Sequence, residues 1–336
     1  MNARVSFDIV IPTIGRPCLG ELLAVLADQA LAAGGARVFI VDDRIVEPAR
    51  RNRTAGSGSP SEAVPPALAP VAVVIPSRGR GPAAARNAGW VASGAEWVVF
   101  LDDDVVPTGT WLSDLTADLA GLGPDVGASQ GRITVPLPPV ATDWERNVGG
   151  LERARWATAD IAYRRAALAA VGGFDERFPR AYREDADLGL RVTGAGHRIV
   201  RGNRRVNHPV RPAGPWISLR LQKGNRDDAL MRALHGPGWA ARAGVPRGRR
   251  PRHLATTAAG ALALAGLASR RRWLAAAGLG TWLAGTSELA WARIARGPRT
   301  RREVATMLAT SLVMPPVASY HWIAGTVAAR RLAGRP

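Results

Sequence analysis

The chain has 336 residues, 47% of them apolar, so it can bury a substantial core and is not globally disordered. Its single cysteine, Cys18, excludes an intrachain disulfide and gives no sign of an oxidising compartment. The net charge of +18 suggests a nucleic-acid binder until it is divided along the chain. Residues 242–336 hold 16 arginines against Glu288 and Glu303, a balance of +14, whereas residues 1–241 carry only +4. Lys223 is the only lysine, so part of the basicity reflects a bias toward arginine, and no nucleic-acid partner is expected. Met1–Arg4 leads straight into strand-like sequence without a basic-then-apolar leader, which makes a cytoplasmic setting the expectation.

In chain order, Phe7–Thr13 reads as a buried strand, Leu19–Leu31 as a helix and Arg37–Asp43 as a second strand, a parallel βαβ unit. Residues 44–70, rich in Pro, Ser, Gly and Arg, read as a long surface loop. Val71–Pro76 resumes as strand, Gly81–Ser93 as helix, and Trp97–Leu101 as a strand ending in three aspartates. Trp111–Leu122 is a helix with Leu112, Leu115, Leu119 and Leu122 on one face. From Gly127 to Pro209 the pattern is mixed, with helices predicted from Arg164 to Gly172-Gly173 and from Asp185 to Thr193, Gly194 capping the latter. After Pro246 the composition shifts to Ala, Gly, Leu, Trp and Arg, which places a boundary near residue 245: a domain 1–245 and a cationic helical tail 246–336.

Three clusters could carry chemistry. Asp102-Asp103-Asp104 follows an apolar strand, and ligands of open α/β sheets bind outside the carboxyl ends of strands. Three adjacent carboxylates repel one another unless a cation compensates, and hard divalent cations take such oxygens while bridging to substrate phosphates. The alternative is a solvated acidic turn, but Asp42-Asp43 ends a second strand on the same sheet edge, which weighs against it. Glu184, Asp185 and Asp187 open a predicted helix, either complementing its dipole or supplying a general base. His208 sits on a short strand-like stretch and reads as structural when taken alone.

The succession Val10-Ile-Pro-Thr13, Val41-Asp-Asp43, Ala83-Ala-Ala-Arg-Asn87, Phe100-Leu-Asp-Asp-Asp104, Val171-Gly-Gly-Phe-Asp-Glu176 and Glu184-Asp-Ala-Asp-Leu188 resembles glycosyltransferase family 2 over residues 5–215. The resemblance implies a GT-A fold (α/β, a Rossmann-like, mostly parallel sheet flanked by helices), a nucleotide-sugar donor, a divalent metal (Mg²⁺ or Mn²⁺) and inversion at the anomeric carbon. By position it implies that Thr13 and Asp43 line the base and ribose pocket and that Arg86 and Asn87 shape the donor site. Asp102 and Asp103 would hold ribose and donor sugar, Asp104 and His208 the metal. Asp185 would be the base with Glu184 positioning a substrate, and Gly172-Gly173-Phe174 the floor beneath the acceptor. The resemblance implies a glycan, lipid or small-molecule acceptor, in keeping with cell-envelope polysaccharide synthesis. Two departures touch the base-binding loop: Arg44-Ile45 follows Val-Asp-Asp where Gly-Ser is common, and Ile14-Gly15 stands where Tyr-Asn is common.

In the tail, apolar stretches 254–268, 273–292 and 304–329 alternate with arginine groups. The first is short for a span of about 20 residues, the second contains Glu288, and Pro315-Pro316 break the third. Arginines at every junction conflict with an external loop, so helices lying on an anionic membrane surface, at the inner face of the cell membrane, fit better than spanning ones. A helical appendage packed on the catalytic domain is the alternative. Two rival functions remain open. One is a haloacid-dehalogenase-like phosphatase using the Asp-x-Asp of Asp102–Asp104 with Lys223 and Asp227-Asp228; the other is a non-enzymatic basic protein binding membrane or nucleic acid.

Overall fold

A computed structural model describes residues 5–29, 31, 35–45 and 59–333. They form two compact units, one of residues 1–136 and 151–209, the other of residues 137–150 and 210–336.

The first unit is mixed α/β. Its amino-terminal part alternates β1 (Phe7–Thr13), α1 (Cys18–Asp28), β2 (Val38–Asp42), β3 (Ala72–Pro76), α2 (Pro82–Ala92) and β4 (Trp97–Leu101). There follow β5 (Val106–Pro107), α3 (Trp111–Leu119) and β6 (Val126–Thr134). Helix α4 (Asp143–Gly149) interrupts the unit and belongs to the other one. The first unit then closes with β7 (Asp160–Arg164), α5 (Arg165–Val171), α6 (Glu184–Gly194) and β8 (Arg198–Asn207). The eight strands make one sheet in the order β3-β2-β1-β4-β7-β6-β8-β5. Strands β3, β2, β1 and β4 are parallel, β7 runs antiparallel between β4 and β6, and β6 and β8 are parallel.

The apolar runs explain the parallel half. Ile9–Ile11, Val38–Val41 and all of β4 are buried, as strands covered on both faces require. Helix α1 buries Leu19, Leu22, Leu23 and Leu26, a helical stripe. Helix α2 lies close on the sheet because its inner face is small; a Cβ at Gly89 would run into Val10. This architecture is the α/β arrangement that the GT-A resemblance implies.

Several local expectations shift. Helix α3 ends at Leu119, so its buried face is Trp111, Leu115 and Leu119, and Leu122 lies beyond it. Helix α6 runs through Gly194 and is left by Ala195 and Gly196, whose φ of 91° takes the left-handed geometry expected two residues earlier. In the predicted loop 44–70, residues 60–63 form a 3₁₀ turn with a Ser59–Glu62 capping box, and residues 46–58 lie outside the described set.

The second unit contains α4, α7 (Ile217–Arg220), α8 (Asn225–His235), α9 (Trp239–Arg242), α10 (Arg250–Ala268), α11 (Arg272–Ile294) and α12 (Arg301–Ala333). The compact units therefore divide at residue 209 and not near 245, because α7 and α8 pack against α12. The composition shift at 246 marks where the helices turn apolar and basic, not where the chain changes unit. The three apolar stretches form α10, α11 and α12, and α12 continues through Pro315-Pro316 instead of breaking. Its cost is two missing amide donors, which strand the carbonyls of Ser311 and Leu312 within the helix. Arg293, buried on α11, ties the unit together: it donates to Asp143 Oδ2 (2.8 Å), Ser218 Oγ (3.0 Å), Thr310 Oγ1 (2.8 Å) and Ser311 Oγ (3.0 Å). Among the described residues no helix is long and apolar enough to cross a membrane.

Candidate active site

The carboxyl ends of β1 and β4 and the start of α6 meet through polar side chains. Asp103, which follows β4, is buried and clamped from β1. Thr13 Oγ1 donates to its Oδ2 at 2.6 Å, and Arg16 Nη1 to its Oδ1 at 2.7 Å. Burial pushes the Asp103 carboxyl upward, Thr13 and Arg16 pull it down, and Asp104 and Asp102 push it up again. A repulsive triplet is thus held in place by a hydroxyl and a guanidinium, as a solvated turn would not be. Arg16 carried no motif signal; only its place just past β1 could have marked it.

Asp43 braces the neighbouring loop. Its Oδ1 accepts from Ser77 Oγ (2.7 Å) and its Oδ2 from the Gly81 amide (2.9 Å). This ties the end of β2 to the segment that enters α2, where Arg78, Gly79 and Gly81 all have positive φ. Arg44, the departure from the usual Gly, turns back on Asp42 at 2.8 Å.

Arg86 joins the two acidic clusters. From the buried face of α2, its Nη2 reaches Asp102 Oδ1 at 2.7 Å and its Nη1 reaches Glu184 Oε1 at 2.9 Å. Burial opposes its charge, but Asp102 and Glu184 outweigh that and raise its pKa. The guanidinium also lies 5.6 Å from the Phe174 ring centre, and Phe174 packs edge-on against Phe100 of β4. Asn87 supports this ring: its Oδ1 accepts from the Phe174 amide (2.9 Å) and its Nδ2 donates to the Phe174 carbonyl (2.9 Å). Both ends of the Asn87 amide are engaged in shaping the Gly172-Gly173-Phe174 segment.

At the head of α6, Glu184 is fully buried and its Oε2 has no hydrogen-bond partner. Neither it nor Asp185 caps the helix; Arg183 holds the N-cap position in left-handed geometry, φ 77°. Such a backbone in a non-glycine residue costs of order 1–3 kcal/mol and clusters at functional sites. Burial pushes the Asp185 carboxyl up, against the Ala186 amide that donates to it at 2.7 Å and the nearby Arg183 and Arg86 charges. Asp187 pairs instead with Arg191 at 2.6 Å, one turn on.

His208 follows β8 and comes to Asp104: its Nε2 is 3.6 Å from Asp104 Oδ1, while its Nδ1 is buried without a partner. Strand β5, next after the aspartates, pairs with β8 through Val106 opposite Asn207, which sets that approach. Two ligands of this kind suffice for a cation that completes its shell on substrate phosphates, and His208 Nε2, the nitrogen facing Asp104, is the one placed to share it. No group of three or more His, Cys, Asp or Glu side chains gathers as a metal cage among the described residues.

A second polar network holds β8. Arg204 and Asp160 are both fully buried and paired at 2.7 Å; Trp111 Nε1 donates to Asp160 at 2.9 Å, and Arg204 Nη2 to the Ser129 carbonyl at 2.6 Å. Gly131 admits Asp160, since a Cβ there would collide with the carboxylate. Lys223, Asp227 and Asp228 of the phosphatase reading lie in the second unit, at and just before α8.

Residues 8–135 match the model of glycosyl transferase family 2. Pre-mycofactocin glycosyltransferases of two Mycobacterium tuberculosis strains are 31% identical over 180 residues, covering 49% of this chain and 35% of theirs. The chain thus spans about a third of the length of these curated relatives. Glucosyl-3-phosphoglycerate synthase from M. tuberculosis, crystallised with Mn²⁺, uridine-diphosphate-glucose and glycerol 3-phosphate, is 15% identical. It superposes with a TM-score of 0.45 over 73% of this chain and 82% of its own. S. aureus TarS gives 17% identity and a TM-score of 0.45 over 97% and 55%. Both structures are too distant to bear on what this chain binds.

Proposed function

We propose that the chain transfers a sugar from a nucleotide-sugar donor to an acceptor hydroxyl, with a divalent cation held by Asp104 and His208. The observation that carries this is the strand-end triplet: Asp103 clamped by Thr13 and Arg16, Asp102 bridged by Arg86 to Glu184, and Asp104 facing Nε2 of His208. The family match over residues 8–135 supports it. Thr13 and Asp43 border the base and ribose, Asp43 by fixing the Ser77–Gly81 turn. Asp102 and Asp103 receive ribose and donor sugar, and Arg86 and Asn87 shape the site from α2. When bound, Mn²⁺ or Mg²⁺ would neutralise charge on the departing diphosphate. Asp185 takes the proton of the acceptor hydroxyl, whose oxygen bonds to the anomeric carbon from the face opposite the leaving group. The carbon–oxygen bond to the diphosphate breaks with its electron pair on the diphosphate, and configuration inverts. Glu184, paired with Arg86, positions the head of α6.

The +14 tail, with its exposed Trp273 and Trp291, supports attachment to the anionic inner face of the cell membrane through surface-lying helices. The test of the enzymatic reading is nucleoside diphosphate release from nucleotide sugars, offered candidate acceptors with Mn²⁺ or Mg²⁺. Release should fall to background in Asp104→Ala. Undiminished release in that variant after metal depletion would remove the assigned role of Asp104.

A further inference from the structure

In the second unit, α10, α11 and α12 enclose a groove of about 580 Å³, within the roughly 300–1,000 Å³ of small-ligand sites. Its walls include Gly260, Leu264 and Leu267 from α10, Leu279 and Trp282 from α11, and Pro316 from α12. The lining side chains offer two polar groups, the indole N–H of Trp282 and the Thr257 hydroxyl, and that hydroxyl is already bonded to the His253 carbonyl (2.7 Å) and Ser319 Oγ (3.0 Å). A polar ligand would find little beyond the single Trp282 N–H there; a hydrocarbon chain needs no partner. Small residues make the room, since a Cβ at Gly260 would stand 3.0 Å from Trp282. The open side is apolar too, with Leu264 69% and Leu267 66% exposed.

The charges at one end of the groove say what kind of chain. Leu267 and Ala275, both lining residues, flank the α10–α11 turn that carries exposed Arg270, Arg271 and Arg272. The carboxylates of the tail are committed elsewhere: Glu288 pairs with Arg249 and Arg252, and Glu303 accepts from the Asp143 amide. Arg270 has φ 55°, the left-handed position after a helix that glycine usually fills. We propose that this groove binds the hydrocarbon chain of an anionic phospholipid, whose phosphate the three arginines meet. The source of the lipid rests on the membrane-surface reading of the tail; the groove and its charges do not.

The test titrates purified full-length protein with 1-oleoyl-lysophosphatidylglycerol below its critical micelle concentration, and with the phosphatidylcholine counterpart. Ala261→Phe and Ala276→Phe fill the groove from facing helices, so either variant alone can carry the result. Wild-type protein should bind the anionic lipid at one site, and each filled variant at least tenfold more weakly. Joint replacement of Arg270, Arg271 and Arg272 by serine should erase the preference over the zwitterionic lipid. Sedimentation with phosphatidylglycerol vesicles, run in parallel, reports membrane attachment separately. Wild-type protein that sediments with vesicles but takes up no lysolipid would overturn the groove proposal and leave the surface reading standing. Unchanged uptake in both filled variants would overturn it equally, as would a shift of oligomeric state in place of lipid loss, which would make a second copy the occupant. Lysolipid uptake without vesicle sedimentation would uphold the groove and remove the surface reading.

Discussion

Arg86 sits where two motifs meet, and its two bonds explain why they act together. Asp102 follows β4 and Glu184 opens α6, 82 positions apart in the chain, yet one buried guanidinium holds both. At the sequence level Arg86 was legible as part of a motif, but not as a bridge, because pairing across the fold has no local signature. Arg16 was marked by nothing but its place just past β1, and Asn87 read as shaping the donor site, while its bonds to Phe174 had no local signature. The role proposed for Asp185, by contrast, can be isolated. Asp185→Asn keeps size and hydrogen bonding but cannot accept a proton, so transfer should fall roughly 10²-fold or more with donor affinity nearly unchanged. Burial raises the Asp185 pKa, so its base form is lost as pH falls through a value above the ordinary carboxylate range. The acid limb of the pH–rate profile should lie there and disappear from the residual rate of the Asn variant. An acid limb at the unperturbed aspartate value, or near-normal transfer by the variant, would assign the proton to another group.

Among the elements, the parallel strands were readable because β1, β2 and β4 are buried on both faces and so are apolar without interruption. Strand β6 was not, since Gly127, Ser129, Gln130, Gly131 and Arg132 break every strand pattern. Ser129 and Gly131 are explained by the Arg204–Asp160 pair, which lies against them and is invisible until β7 and β8 are placed. That pair fixes β8, hence the position of His208 at its end. Arg204→Met should leave Asp160 buried and unpaired and destabilise the protein by about 3–5 kcal/mol. Urea unfolding of the first unit would measure it; a loss under ~1 kcal/mol would mean that Asp160 is protonated and indifferent to its partner. In the second unit the proline pair of α12 misled for a related reason. Two missing amides end an isolated helix, but α12 is flanked by α8, α10 and α11, and packing outweighs the local loss.

For the whole molecule, charge division along the chain foresaw a cationic helical region, but composition placed its boundary at 245 where the compact units divide at 209. Helices α7 and α8 have ordinary soluble composition, so only their packing reveals which unit they join. Attachment of the full chain to anionic vesicles should weaken steeply with salt, because screening shortens from about 10 Å at 0.1 M to about 3 Å at 1 M. Attachment that resists 1 M salt and yields only to detergent would contradict surface docking through arginines. The central claim, a nucleotide-sugar site built on Asp102–Asp104, is reached most directly by measuring the melting temperature with a panel of nucleotide sugars and Mn²⁺. At least one nucleotide sugar should raise the melting temperature of the wild-type protein by several degrees, and should fail to do so in Asp104→Ala. If no nucleotide sugar shifts the wild-type transition, or if the variant shifts equally, the site is not what its carboxylates suggest.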